Sequence, residues 1–162
     1  MLSTSQKPNS DGPDGLISWR KRGGMIRALF RGMDKHELQD RSLKFAVAIH
    51  QLAAHVRQMS AGRNAADQLS DCAASAAANY RAACRARSRA EFIAKLGTVV
   101  EEADEVVYWL EYIAETGLRP HSELSALLDE SRQLRAIFAA SYGTARHNHK
   151  TSNARRNRHR NL

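Results

Sequence analysis

Apolar residues recur at helical spacing in four stretches of this chain, and the third stretch has the most regular pattern. The intervals between its apolar residues alternate between four and three, which keeps one face of an α-helix apolar along its whole length. Ser88 and Glu91 are spaced as a capping box at its start, and Gly117 followed by Pro120 marks its end. The apolar face consists of Phe92, Leu96, Val99, Ala103, Val106, Leu110 and Ile113.

The stretches before it predict two more helices. The first runs from Leu38 to Met59 and ends at Gly62, after which Asn64 is the predicted N-cap of the second. The second covers residues 65–85, and the residues of its apolar face are mostly small, so it needs bulkier neighbours to be stable. The first face consists of Leu38, Phe45, Ile49, Leu52, Val56 and Met59, and the second of Leu69, Ala73, Ala76, Tyr80 and Ala83.

The last stretch predicts a fourth helix that starts near Ser122 and ends at Gly143. No proline occurs between Asp14 and Arg119, which favours long helices over a loop-rich β-fold. Helices that are joined by short loops become antiparallel neighbours. The sequence therefore predicts an all-α fold, an antiparallel up-down-up-down four-helix bundle over residues 34–145. The apolar face of the fourth helix consists of Leu124, Leu127, Leu128, Leu134, Ile137 and Phe138.

The formal net charge of +8 is concentrated at the two ends of the chain. Residues 1–33 carry six Lys or Arg and two Asp, residues 146–162 carry six Lys or Arg and no acid, and residues 34–145 have a net charge of −2. Both ends have the composition of disordered basic extensions. Two interpretations stay open: solubilising tails, or electrostatic arms for nucleic acid or an anionic surface.

The N-terminal extension contains a stretch, residues 19–31, in which apolar and basic side chains are interleaved. This pattern is typical of a short amphipathic helix at a membrane surface, but Gly23 and Gly24 interrupt it. A different interpretation is that Met33 is the true start and the preceding residues are translated upstream sequence.

The sequence contains no recognisable catalytic or metal-binding pattern. No Glu is followed three residues later by His, which argues against a di-iron bundle, and no phosphate-binding glycine loop occurs. Cys72 and Cys84 lie too far apart on one helix to form a disulfide and are expected to be small buried hydrophobic residues. We therefore expect no enzyme, no cofactor and no metal. The absence of a signal peptide and of a membrane-spanning run favours the cytoplasm.

Two features remain as candidates for function. The predicted turn between the second and third helices is rich in arginine, which suits phosphate contacts, although a solvated turn is the alternative. A group of aromatic residues lies away from the apolar face of the third helix, which favours a subunit interface. The nucleic-acid candidates are Arg81, Arg85, Arg87, Arg89 and Lys95, and the interface candidates are Tyr108, Trp109 and Tyr112.

Several segments resemble the family of 23S rRNA intervening-sequence proteins. The third helix carries the strongest resemblance, in residues 88–96, 101–105, 108–111 and 115–117. Gln68-Leu69 and residues 75–79 are similar to that family's second-helix motif, although Tyr80-Arg81-Ala82 replaces its usual Ile-Ala-Glu. The resemblance covers about residues 42–142 and leaves out both tails.

The resemblance implies an antiparallel four-helix bundle that assembles as a homopentamer in bacteria. A related group, the accessory proteins of diversity-generating retroelements, binds a reverse transcriptase and nucleic acid. The sequence thus favours a non-enzymatic oligomeric scaffold that binds RNA or DNA through the arginine-rich turn. The alternative is a protein-interaction scaffold or accessory subunit, for example of a reverse transcriptase, with merely solubilising tails.

Overall fold

The computed structural model describes residues 34–160, with side chains described for residues 34–154. Four helices follow one another along the chain: α1 (Lys35–Arg57), α2 (Arg63–Ala83), α3 (Arg89–Glu115) and α4 (His121–Arg160). Consecutive helices pack against each other and are joined by short turns, which fits the predicted bundle. The predicted all-α fold class is confirmed. The N-terminal extension, residues 1–33, lies outside the described residues.

Side-chain caps fix the starts of α1 and α3. The Asp34 carboxylate accepts hydrogen bonds from the backbone N–H groups of His36 and Glu37, and Glu37 accepts one from the backbone of Asp34, which completes a capping box. The Ser88 hydroxyl accepts a hydrogen bond from the Glu91 N–H at 3.1 Å, as predicted. The Glu91 carboxylate, however, accepts from the N–H of Arg87, so the predicted capping box at Ser88 is only half formed.

The start of α2 differs from the prediction. The helix begins at Arg63 with Gly62 as its N-cap, so Asn64 is the second helical residue and the predicted Asn64 cap is wrong. Gly62 packs so closely on the end of α1 that an added Cβ would lie 2.9 Å from Val56 Cγ1 and still closer to the Val56 carbonyl oxygen. A glycine is therefore needed here for close approach rather than for an unusual dihedral angle.

The core consists of two clusters stacked along the bundle. The first lies at the end of α1 and the start of α2, and the second lies at the start of α1 and the end of α2. Every predicted residue of the α2 and α3 apolar faces is buried. Met59 is 40% exposed, because α1 ends at Arg57 and leaves this residue in the turn. The largest side chains of the first cluster include Ile49, Leu69, Leu110 and Leu124, and those of the second include Tyr80, Leu96, Leu134 and Phe138.

The contact between α1 and α4 is the sparsest side of the bundle, and one arginine spans it. Arg41 donates to both Glu130 carboxylate oxygens at 2.6 and 2.7 Å and to the Gln133 side-chain oxygen at 3.0 Å. The hydrogen bonds to Glu130 raise the pKa of Arg41 above its usual value. A bidentate pair of this kind fixes the relative position of two helices that share little apolar surface.

Helix α4 is longer than the sequence predicts. It passes through Gly143 and continues to Arg160, so the expected helix end at Gly143 is wrong. Residues 146–160 are therefore helical in the structure, although their composition indicates a disordered tail. Tyr142 and Ala145 pack on the second core cluster, which anchors the start of this extension on both sides of the glycine.

Candidate nucleic-acid interface

The arginine-rich turn, residues 81–89, joins the end of α2 to the start of α3. Arg81 occupies the last turn of α2, where the helix dipole favours a cation. Arg85 and Arg87 follow the last residue of that helix. All three side chains are exposed, so their guanidinium groups are accessible to a large anionic ligand.

Arg87 and Glu91 determine the local shape of the turn. The Glu91 carboxylate accepts the Arg87 N–H at 3.0 Å, and this hydrogen bond is the main reason why the pKa of Glu91 is lowered. The same carboxylate lies 3.5 Å from the Arg87 guanidinium, whose side chain is 90% exposed. An exposed pair of this geometry contributes little stability, and most donors of Arg87 still point to solvent.

Arg89 has a structural role that the sequence does not reveal. It is half-buried and donates to the Asn148 carbonyl at 3.4 Å and to the Ser152 hydroxyl at 3.1 Å. These bonds connect the start of α3 to the extension of α4. The other part-buried candidate, Lys95, lies about one and a half turns further along α3. The five candidates therefore divide into three exposed arginines and two part-buried cations.

The extension of α4 adds basic residues near the same end of the bundle. Arg146 lies over the ring of Tyr142, 5.4 Å from its centroid, and Lys150 is exposed one turn later. The hydrogen bonds of Arg89 bring this part of α4 to the arginine-rich turn. In the sequence, the arginine-rich turn and the C-terminal segment are separate basic features. The spacing of Tyr142 and Arg146, four residues apart, is the local signal of a continuing helix.

The three aromatic candidates lie together on α3 but differ in burial. Tyr108 is 56% exposed and Tyr112 is 41% exposed. Trp109 is half-buried and packs on the first core cluster. The ring centroid of Tyr108 lies 5.0 Å from that of Trp109 and 6.3 Å from that of Tyr112, so the three rings form one aromatic surface. Trp109 lies between the first core cluster and the rings of Tyr108 and Tyr112.

The two described cysteines differ in burial. Cys72 is buried, and burial together with Glu105 and Glu102 raises the pKa of its thiol to about 12, as expected for a small hydrophobic residue. Cys84 is half-buried. Across residues 34–154, no three His, Cys, Asp or Glu side chains cluster in a way that would hold a metal ion. No helix in the described part of the chain is long and apolar enough to span a membrane.

Comparisons with known proteins agree on one family. A family model described as 23S rRNA-intervening sequence protein matches residues 34–140. A crystal structure of a protein with unknown function from the S23 ribosomal protein family of Bacteroides thetaiotaomicron is similar, with a TM-score of 0.61 and 30% sequence identity. The match covers 65% of this chain and 97% of that chain. No curated protein matches the sequence significantly.

Proposed function

This chain belongs to the family of 23S rRNA-intervening sequence proteins, and we propose that it is a non-enzymatic, homo-oligomeric scaffold that binds nucleic acid in the bacterial cytoplasm. The binding surface is the arginine-rich turn together with the adjacent face of α4. The family name describes an association with 23S rRNA genes and does not identify the ligand. The experiment below compares RNA with DNA.

The observation that carries this proposal is the exposure of three arginines at a junction that is fixed by two helices. Arg81, Arg85 and Arg87 are exposed, and only Arg87 has a nearby carboxylate partner, at 3.5 Å, among the ion pairs seen in residues 34–154. The guanidinium group offers a fork of donors that matches phosphate oxygens. Arg146 and Lys150 extend the positive surface, and repetition in an oligomer would strengthen its field.

Replacing Arg81, Arg85 and Arg87 with alanine in the full chain is expected to weaken binding to single-stranded RNA by about tenfold or more near physiological salt. Each phosphate contact that is lost lowers the slope of log affinity against log salt by roughly 0.7–0.9, so the slope should fall by about two to three. Fluorescence anisotropy over a salt series, with RNA and duplex DNA of equal length, measures both quantities.

The matched control removes three arginines from elsewhere in the bundle. Arg57 and Arg63 lie at the junction of α1 and α2, at the end of the bundle away from the arginine-rich turn. Arg132 of α4 pairs with Glu111 of α3. Alanine at these three positions removes the same net charge and should leave the salt slope nearly unchanged. Equal losses in the two triple variants would contradict a specific site, because net charge alone would then explain the binding.

A second candidate function, a protein-interaction scaffold or an accessory subunit such as that of a reverse transcriptase, is favoured by the aromatic surface on α3. Two tyrosines that are 56% and 41% exposed, backed by a half-buried tryptophan, form an apolar patch typical of protein interfaces. In the proposed scaffold, Tyr108 and Tyr112 contact a second copy of the chain. In the alternative, they contact a different protein.

Light scattering on the purified chain is expected to give a mass near five protomers. Changing Tyr108 and Tyr112 to aspartate should reduce this mass, because two charges would be buried without partners in the interface. The triple arginine variant should keep the mass of the unchanged chain. A monodisperse monomer at micromolar concentration would refute the oligomeric scaffold and leave the aromatic surface for another protein.

A further inference from the structure

A shallow groove between α1 and α2 carries exposed apolar side chains that the proposed function leaves unused. Leu43 and Val47 of α1 are 54% and 50% exposed, and the groove is lined on its other side by Ala74 and Ala78 of α2. Small side chains on one wall let an apolar segment approach the backbone closely. Half-exposed Leu and Val side chains arranged along one groove are typical of a surface that another element covers.

The ends of the groove define its length and direction. Gln39 and Arg81 line the end near the start of α1, and His50 and Ser70, which are hydrogen-bonded at 3.0 Å, line the other end. Gln39 and His50 are eleven residues apart in sequence, which corresponds to about 16 Å along the helix. The near end lies only five residues, about 8 Å, after Asp34, where the described chain begins.

The sequence immediately before Asp34 contains a segment with the complementary pattern. Residues 25–31 read Met-Ile-Arg-Ala-Leu-Phe-Arg and lie outside the described residues. At helical spacing, the two arginines, Arg27 and Arg31, share one face. The opposite face carries Met25, Ile26, Leu29 and Phe30.

We propose that residues 25–31 dock as a short amphipathic helix in the α1–α2 groove of the same chain. Its apolar face covers Leu43 and Val47, and its two arginines face solvent. Gly32 follows this segment, where a glycine commonly ends a helix, and a two-residue connection to Asp34 makes consecutive helices antiparallel neighbours. Seven helical residues span about 10 Å, which fits within the groove.

The tether and the chemistry of the neighbouring groove both favour this occupant. A segment joined directly to α1 has an effective concentration in the millimolar range, so a small apolar contact is sufficient for docking. The groove on the other side of α1 is lined by Glu37, Arg41, Lys44 and Glu130, among others, and Asp40 borders both grooves. That charged surface, crossed by the Arg41–Glu130 pair, does not suit Ile26, Leu29 and Phe30.

Limited trypsin digestion of the full chain tests the proposal, because Arg27 and Arg31 are themselves cleavage sites. Mass spectrometry should show that cleavage after these residues is at least about tenfold slower than after Arg20, Lys21 and Arg22. Trypsin cleaves the docked segment only when it has left the groove, and the undocked form is a minor population. Changing Leu43 and Val47 to aspartate should abolish this protection. Met59, which is 40% exposed in the turn after α1, provides the matched control, and M59D should keep the protection.

A reciprocal variant keeps the test valid if the groove variant loses helicity by circular dichroism. Ile26→Asp with Phe30→Asp changes only the docking segment and should also raise cleavage at Arg27 and Arg31 by about tenfold. Equal cleavage rates at all five sites of the unchanged chain would overturn the proposal. So would an L43D/V47D variant whose oligomer mass falls while Arg27 and Arg31 stay protected, since a second copy would then occupy the groove.

Discussion

Leu110→Ala is expected to lower the free energy of unfolding by about 2–5 kcal/mol. Leu110 is fully buried in the first core cluster, one turn before the last residue of the apolar face of α3, Ile113. Truncation removes the transfer free energy of the deleted carbons and leaves a cavity. Helix α3 packs against both α2 and α4, so it cannot move to fill this cavity without losing contacts on one side.

Two control variants distinguish a cavity from a general effect of substitution. Leu110→Met conserves most of the volume and should cost less than about 1.5 kcal/mol. Met59→Ala truncates a side chain in the exposed turn and should cost less than about 0.5 kcal/mol. Urea unfolding followed by circular dichroism measures the free energy of unfolding of all three variants. The protomer concentration is kept the same in each experiment, because the apparent stability of a chain that oligomerises depends on concentration. A loss below about 0.5 kcal/mol for Leu110→Ala would mean that the α3 faces are wrongly assigned.

The helices were predictable where their signals are local. The alternating intervals from Phe92 to Ile113 and the Ser88 cap depend on residues within one or two turns, and the structure buries that whole face. The exposed pair Leu43 and Val47 was missed, because the face of α1 was defined by its core residues alone. A second apolar face on one helix can be recognised only when it is known which side of that helix the neighbouring helices cover.

The end of α4 was not predictable from the same local rules. A glycine inside a helix costs only about 1 kcal/mol, which contacts on either side of it can offset. Tyr142 and Ala145 provide such contacts on the second core cluster, and Arg89 provides others to Asn148 and Ser152. Asn148 and Ser152 lie 59 and 63 residues after Arg89 in the sequence. The link between the arginine-rich turn and the C-terminal segment therefore appears only in three dimensions.

Gly62→Ala is expected to destabilise the protein by about 1–3 kcal/mol, the usual cost of overpacking. The added Cβ would lie 2.9 Å from Val56 Cγ1 and closer still to the Val56 carbonyl oxygen. Val56 is itself fully buried, so its side chain cannot give way. The turn between α1 and α2 would have to open, and that change would separate the two helices at the first core cluster.

Gly143→Ala is the matched control for this substitution, and the opposite sign is expected. Gly143 lies inside α4, is exposed, and has no atom within 4 Å of an added Cβ. Alanine there should stabilise the protein by about 0.5–1 kcal/mol, because it reduces the backbone entropy of the unfolded chain. Urea unfolding of both variants at equal protomer concentration measures the difference. Stabilisation by both substitutions would show that the turn at Gly62 is looser than the structure has it, whereas destabilisation by both would contradict a continuous α4 helix through Gly143.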